Sequence, residues 1–329
     1  MIFVGDVGGT KTTLALFELR DNILEIQARQ QFSSQQFSSL SEVIYQFEPL
    51  TSIGVGAIDW ACFAVAGPVI DGHCHTTNLP WDISTADLQK QLHTGKVHLM
   101  NDLEAAAYGM LYLSEDEFID LNPIGRTANG NRAIIAAGTG LGEAMLYYDG
   151  TDYHPIGSEG GHSDFAPATV QQDELLRWMR KRYPGHVSFE RFLSGPGIYT
   201  LYEFLLESGF APQPSAMMEI KEDQDRNAMI SECALSQNDP LCMETLQLFI
   251  EIYAAEAGNL ALKTMSLGGV YIGGGIAPKI LPLITKSHFM NVFASKGRFE
   301  ELLRGMQVRI ALNPNVALLG AAHFVVDRL

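Results

Sequence analysis

Cysteine is scarce in this chain, with four residues, Cys62, Cys74, Cys233 and Cys242, and no CxxC or CxxCH spacing among them. In a chain of 329 residues such a set makes neither a disulfide scaffold nor a structural zinc site, and it reads as reduced, mostly buried thiols. Positive charge is short as well. Against 38 acidic residues stand 22 lysines and arginines, a net charge of −16, which argues against a broad footprint on nucleic-acid phosphates or an anionic membrane. No stretch of about 20 apolar residues runs without glycine, proline or charge, and the opening Met1-Ile2-Phe3-Val4-Gly5-Asp6 has no basic lead-in. The expectation is a soluble, cytoplasmic protein with neither nucleic acid nor membrane as partner. An anionic ligand must then be held by local amides, a metal ion and a few cations. What the chain does have is 47% hydrophobic residues, enough for about two domain cores, and 31 glycines.

Two glycine-rich turns follow apolar β-type runs: Gly5-Asp6-Val7-Gly8-Gly9-Thr10-Lys11 after Ile2 to Val4, and Gly138-Thr139-Gly140-Leu141-Gly142 after Ala133 to Ala137. Each is followed by a returning strand, Thr12 to Leu19 in one case and Glu143 to Tyr148 in the other, so the pair reads as a weak internal repeat. Between them Ile26 to Phe32 predicts a strand, Leu40 to Phe47 a helix, and Trp60 to Ala66 a buried strand ending at Gly67-Pro68. Pro80 places Asn78 on a loop, and Ser84 is suited to cap a helix beginning near Thr85. Val97 to Met100 predicts a parallel strand with Asn101-Asp102 at its carboxyl end, before an alanine-rich helix over Leu103 to Leu113. Later come mainly helical segments from Val170 to Ile230 and a long helix from about Pro240 to Met265. A strand then leads into a third glycine turn, Gly273-Gly274-Gly275, and after a strand over Met306 to Leu312 a small-residue helix runs from Val316 to Asp327.

The first turn places a carboxylate, bare backbone and a hydroxyl on one hairpin, a chemistry suited to phosphate with Asp6 near a Mg²⁺ ion through water. It is neither the GxxxxGK[ST] loop nor a GxGxxG leading into a helix, and an ordinary tight hairpin remains the alternative. Gly138 to Gly142 repeats the theme. Asp102 has the position of a general base, at a strand end between two phosphate loops, but it has two plainer roles: N-cap of the following helix, or partner of Asn101 in an Asx-turn. Glu159-Gly160-Gly161-His162 offers a carboxylate and an imidazole around backbone that a sugar can approach closely, with a metal half-site or a solvated loop as rivals. Glu190, within Ser188-Phe189-Glu190-Arg191-Phe192, reads on its own as a helix-surface residue paired with Arg191. Gly273 to Gly275 can cover a nucleoside or simply turn the chain.

In their order along the chain, Gly5-Asp6-Val7-Gly8-Gly9-Thr10, Ala66-Gly67-Pro68, Thr77-Asn78-Leu79-Pro80-Trp81, Asn101-Asp102-Leu103, Ala137-Gly138-Thr139-Gly140-Leu141-Gly142, Glu159-Gly160-Gly161-His162 and Gly273-Gly274-Gly275-Ile276-Ala277-Pro278 resemble the bacterial glucokinase family of the hexokinase, Hsp70 and actin-like ATPase superfamily. The resemblance spans essentially the whole length. It implies an α/β fold of two ribonuclease-H-like domains around a central cleft, ATP and Mg²⁺ as cofactors, D-glucose as acceptor, closure over the sugar, and a homodimer. With the internal repeat, it divides the chain into a small domain, 1–102 plus the helix 314–329, and a large one, 103–313. It further implies that Asp102 is the general base for the sugar 6-hydroxyl and that Asn78, Asn101, Glu159, His162 and Glu190 hold hydroxyls. Asp6, Gly8, Gly9, Thr10, Gly138, Thr139 and Gly140 then belong to the phosphate site, and Gly273, Gly274 and Gly275 to the nucleoside site. Lys11 departs from the asparagine of many relatives in this branch and matches the lysine frequent in the ROK sugar kinases, adding a cation beside the first loop. Ser163-Asp164-Phe165-Ala166-Pro167 stands where the ROK branch tends to carry a cysteine-rich zinc motif, which favours the non-ROK branch. The expected activity is ATP-dependent phosphorylation of glucose to glucose 6-phosphate. The alternatives are a kinase for another hexose or an amino sugar, and a sugar-sensing regulator of the same fold without useful catalysis, although no basic helix-turn-helix segment is appended.

Overall fold

A computed structural model describes residues 1–21, 23–76, 78–221 and 224–328, and Thr77 of the Thr77-to-Trp81 string lies outside the described residues. The chain divides into two compact units, Met1–Glu115 with Tyr153–Gly157 and Asn313–Leu329, and Asp116–Asp152 with Ser158–Leu312.

In the first unit β1 (Ile2–Val7) and β2 (Lys11–Arg20) form the expected hairpin, β3 (Ile23–Ser33) extends it, and β4 (Trp60–Val65) and β7 (Val97–Asn101) lie beyond β1. The order is β3-β2-β1-β4-β7, antiparallel from β3 to β1 and parallel from β1 to β7. A short ribbon, β5 (His73–His75) with β6 (Asp82–Ser84), stands apart. Phe3, Val4, Ala61, Cys62, Phe63 and Ala64 are fully buried, as expected where both faces of a parallel sheet are covered. Ser84 caps the helix Thr85–Leu92, its hydroxyl accepting from the Asp87 N–H.

The alanine-rich helix spans Asp102–Gly109, shorter than its pattern predicts, and continues only as i→i+3 turns, Leu111 N–H to Tyr108 O and Tyr112 N–H to Gly109 O. It lies backbone to backbone on the helix Val316–Val326. A β-carbon on Gly320 would sit 1.8 Å from the Ala105 carbonyl oxygen, and one on Gly109 would sit 2.0 Å from that of Val316. The division of the chain groups this helix with the first unit, whereas the boundary read from the sequence falls between Asp102 and Leu103, after the helix's first residue.

The second unit contains β8 (Phe118–Asp120), β9 (Arg132–Ala137), β10 (Leu141–Tyr148), β12 (Val270–Gly273) and β13 (Val308–Ala311), while β11 (Tyr153–Ser158) straddles the division of the chain. From β10 the order runs β9, β12, β13, β8. The β10–β9 pair is antiparallel, β9–β12 and β12–β13 are parallel, and β13–β8 is antiparallel. A hairpin followed by two parallel strands is the order β2-β1-β4-β7 over again. The internal repeat is thus a repeat of topology.

The helix Pro240–Thr264 starts at Asp239, whose side chain accepts from the Leu241 and Cys242 N–H groups, and ends where Met265 turns left-handed at φ 47°. It is apolar on most sides because it is buried on most sides. All four cysteines are buried. From this helix the fully buried Tyr253 sends its hydroxyl to the ends of two strands: it accepts from the Ala137 N–H at 3.2 Å and lies 3.1 Å from the Ile135 carbonyl and 3.4 Å from that of Gly273. Tyr253→Phe is expected to destabilise the protein by about 2 kcal/mol, since it strands a buried amide. The shift of a urea unfolding midpoint at unchanged slope measures this.

Candidate active site

Register aligns the ends of three strands in the first unit. Val7 pairs with Val65 and Val65 with Asn101, so Gly8, Ala66-Gly67 and Asp102 leave the sheet at one carboxyl edge, where parallel sheets bind ligands. Adjacent strands lie about 4.8 Å apart, which puts the first glycine turn and Asp102 roughly 10 Å from each other along that edge. The turn closes with Gly8 N–H donating to Lys11 O at 2.9 Å. It is braced from below by the buried Ser34, whose hydroxyl donates to Gly8 O at 2.7 Å and meets the Thr12 hydroxyl at 2.9 Å, while its N–H donates to Thr10 O. Nothing in the Ser/Gln-rich stretch around it marks this serine, because its role depends on a contact from 26 residues away in sequence. Thr10 and Lys11 are exposed.

Asp6 lies on β1 and is half-buried. Burial pushes its carboxyl up to about 6, with Arg29 pulling the other way. Asn78 lies on the predicted loop, and its Cβ is 2.7 Å from where a β-carbon on Gly9 would be. Only glycine lets that loop close on the turn. The loop is held by Thr76, whose hydroxyl donates to Leu79 O at 2.8 Å, and by Trp81, whose indole N–H donates to Phe37 O at 3.1 Å.

The helix after β7 is capped by Asn101 and not by Asp102. The Asn101 side chain accepts from the Leu103 and Glu104 N–H groups, Glu104 returns the bond to the Asn101 N–H at 3.1 Å, and Asn101 Nδ2 donates to Gly67 O at 3.1 Å. Asparagine is the better cap here because its amide also reaches the neighbouring strand end, which a carboxylate cannot do. Asp102 is left as the first helical residue, with Oδ1 accepting from the Leu103 N–H at 2.9 Å.

In the second unit Gly138 N–H donates to Gly140 O at 2.8 Å, closing a turn whose Gly138 carbonyl accepts from the Gly195 N–H at 2.8 Å. Gly195 opens the helix Gly195–Glu207, capped by Ser194. The third glycine turn shares this sheet edge. Gly273 pairs with Ala136, and Gly274, at φ +80°, brings its α-carbon so near Ala137 that a β-carbon would fall 2.2 Å from the Ala137 carbonyl oxygen. Both the dihedral and the space require glycine.

Glu190 and His162 meet at the Gly138–Gly140 turn. Glu190 lies in the short 3₁₀ turn Phe189–Arg191, held by the buried Phe189 and Phe192, whose rings pack on Phe165. Its Oε2 accepts from the Leu141 N–H at 2.9 Å and its Oε1 lies 3.8 Å from His162 Nε2. Arg191 is not turned toward it in the manner of a surface pair; its guanidinium covers the Tyr183 ring at 4.0 Å. The 3₁₀ turn Gly160–His162 closes with His162 N–H donating to Glu159 O at 3.0 Å, and Gly161 is pressed on Leu141, where a β-carbon would lie 2.1 Å from the carbonyl oxygen. Glu190 and His162 thus come together, with the Glu159 turn beside them, at the rim of the Gly138–Gly140 loop. Glu143, which sits under Gly160, was not marked by any motif. Its place inside a strand of otherwise apolar or small buried residues is the signal that could have found it.

Comparison with known proteins identifies the family. The family model described as Glucokinase matches residues 3–328. The glucokinase of Nostoc punctiforme is 40% identical over 98% of both chains, and that of Synechocystis sp. is 38% identical over 97% of this chain and 96% of its own. A glucokinase crystal structure from an Antarctic psychrotroph superposes with a TM-score of 0.84 at 32% identity, covering 99% of this chain and 98% of the other. A ROK family glucokinase from Streptomyces griseus, solved with glucose and AMPPNP, shares the fold at a TM-score of 0.68 and 18% identity over 99% of each chain. The fold is that of the actin-like ATPase superfamily, and the chain belongs to the glucokinase family.

Proposed function

We propose that the chain transfers the γ-phosphoryl group of ATP to the 6-hydroxyl of D-glucose, with Asp102 as general base. The sugar oxygen attacks phosphorus, the bond from phosphorus to the β,γ-bridging oxygen breaks, and the hydroxyl proton passes to the Asp102 carboxylate, giving glucose 6-phosphate and ADP. The observation that carries this reading is the emergence of Asp102 and the first glycine turn from one carboxyl edge, with the helix cap already supplied by Asn101.

Asn78, Asn101, Glu159, His162 and Glu190 hold and orient sugar hydroxyls in this reading. The amides of Gly8, Gly9, Thr10, Gly138, Thr139 and Gly140 receive phosphate oxygens, Lys11 adds a cation beside them, and Gly273 to Gly275 cover the nucleoside. Mg²⁺ fits the oxygen chemistry of the first turn, where the Asp6 carboxylate is only partly covered, one residue before the end of the strand that leads into the glycines. Asp6 would hold that ion through a water, the usual mode for Mg²⁺ shared with nucleotide phosphates. When bound, the ion neutralises charge on the transferring phosphates. A cytoplasmic homodimer completes the reading, and sedimentation of the purified protein tests the dimer. Among the described residues no helix is long and apolar enough to cross a membrane.

The activity is tested by coupled detection of sugar 6-phosphate from ATP and Mg²⁺ with glucose, mannose, fructose and N-acetylglucosamine. Glucose is expected to give the highest kcat/KM. A higher value on another sugar reassigns the acceptor, and sugar binding without turnover makes the protein a sensor.

A further inference from the structure

The carboxyl group of Glu143 has no part in the chemistry above, yet it lies under the turn that carries Glu159 and His162. Glu143 is 1% exposed and sits on β10 opposite Ile135. A β-carbon on Gly160 would come 2.2 Å from its Oε2, so the backbone of the turn rests directly on the carboxyl. The same stretch is tied to the main chain of Glu143 by Ser158, whose hydroxyl donates to Glu143 O at 3.0 Å and accepts from the Gly160 N–H at 3.1 Å.

On its other side the carboxyl meets Glu256, which is fully buried on the helix Pro240–Thr264. Glu256 accepts from Lys263 Nζ at 3.1 Å and from Asn259 Nδ2 at 2.8 Å. Glu143 Oε1 is buried without a hydrogen-bond partner among the described residues. Burial together with the nearby Glu256 charge pushes the Glu143 carboxyl up to about 8 against the pull of Lys263, so it holds a proton at neutral pH. The other titratable groups facing this pair are Tyr253 on the same helix, and Lys296, which donates to Ala255 O at 3.0 Å.

We propose that Glu143 is a positioning residue for sugar binding: its buried carboxyl is the floor on which Gly160 sets the Glu159 and His162 side chains. This rests on the reading that Glu159 and His162 hold the sugar. Loss of that proton places a second buried negative charge near Glu256 beneath the turn and displaces it. Glucose affinity should therefore be full while Glu143 is protonated and fall as pH rises through its raised value.

The test is equilibrium titration of glucose between about pH 6.5 and 9.5 on the wild type, Glu143→Gln, Glu143→Ala and Glu159→Gln, with ATP affinity as control. The amide of Glu143→Gln keeps the shape of the protonated carboxyl but cannot ionise. It is expected to bind glucose within about threefold of the wild type at neutral pH and to lose the alkaline decline, while Glu143→Ala binds about tenfold more weakly with ATP affinity unchanged. Should Glu143→Ala fail to fold, the Glu143→Gln pH profile alone decides. The proposal is overturned if Glu143→Gln keeps the wild-type alkaline decline, or if a folded Glu143→Ala binds glucose like the wild type. Unchanged glucose binding in Glu159→Gln overturns the sugar-holding reading instead, whichever way the Glu143 variants behave.

Discussion

Asp102→Asn is expected to lower kcat for glucose phosphorylation about a thousandfold while glucose affinity stays within a few-fold, because proton acceptance matters only as the hydroxyl is consumed. The substitution is nearly isosteric, and asparagine Oδ1 can keep the 2.9 Å bond from the Leu103 N–H. It should also leave the fold intact, since the cap of this helix comes from Asn101 and Glu104. Asp102→Ala tests the same point without the remaining oxygen, and the expected loss in turnover is at least as large. Steady-state kinetics together with calorimetric glucose titration separate the two effects. Equal losses in binding and turnover would make Asp102 a positioning residue and leave the base unassigned.

The largest expected effect on stability is at Gly320. Its α-carbon faces the helix Asp102–Gly109 so closely that a β-carbon would lie 1.8 Å from Ala105 O and 2.6 Å from the Gly109 N–H nitrogen. Those atoms are backbone, which cannot rotate away as a side-chain tip can, so two helices must separate. Gly320→Val is expected to cost about 3 kcal/mol or more by overpacking, lowering the melting temperature by roughly 10 °C. Gly320→Ala should behave likewise, against the gain in helix propensity that alanine brings elsewhere. Because the displaced helix begins with Asp102, residual activity should fall faster than folded fraction. A melting curve within a degree or two of the wild type for Gly320→Ala would show that the helices do not approach in this way.

The elements most legible in the sequence are those whose local pattern and buried environment agree. The β1 and β9 hairpins were readable because apolar runs lead into glycine turns and alternating strands return. The cap at Ser84 was readable because the hydroxyl and the start of helical spacing are adjacent. Reading failed where the deciding partner is distant: the helix beginning at Asp102 crosses Gly320 backbone to backbone, and the N-cap passed to Asn101 because Gly67, a strand away, takes its amide. Glu190 is the sharper case. Local pattern makes it a surface residue beside Arg191, whereas Phe165 and the Leu141 N–H place its carboxyl at the Gly138–Gly140 loop.

By itself the sequence determined the class of the protein: repeated strand, glycine turn and returning strand, the carboxylate at a strand end, and the ordered motifs that place the chain with the glucokinases. These are properties of short segments, written in residue type and spacing, because backbone dihedrals and hydrophobic period are local. Only tertiary structure decided which side chains are spent on support and which are left at the rim. That Ser34 braces one turn, that Asn101 caps the helix after β7, and that Glu143 is buried beneath another turn all depend on contacts between strands and helices far apart in the chain. Burial, which sets the energy of an unpaired or shared charge, exists only once those segments have packed.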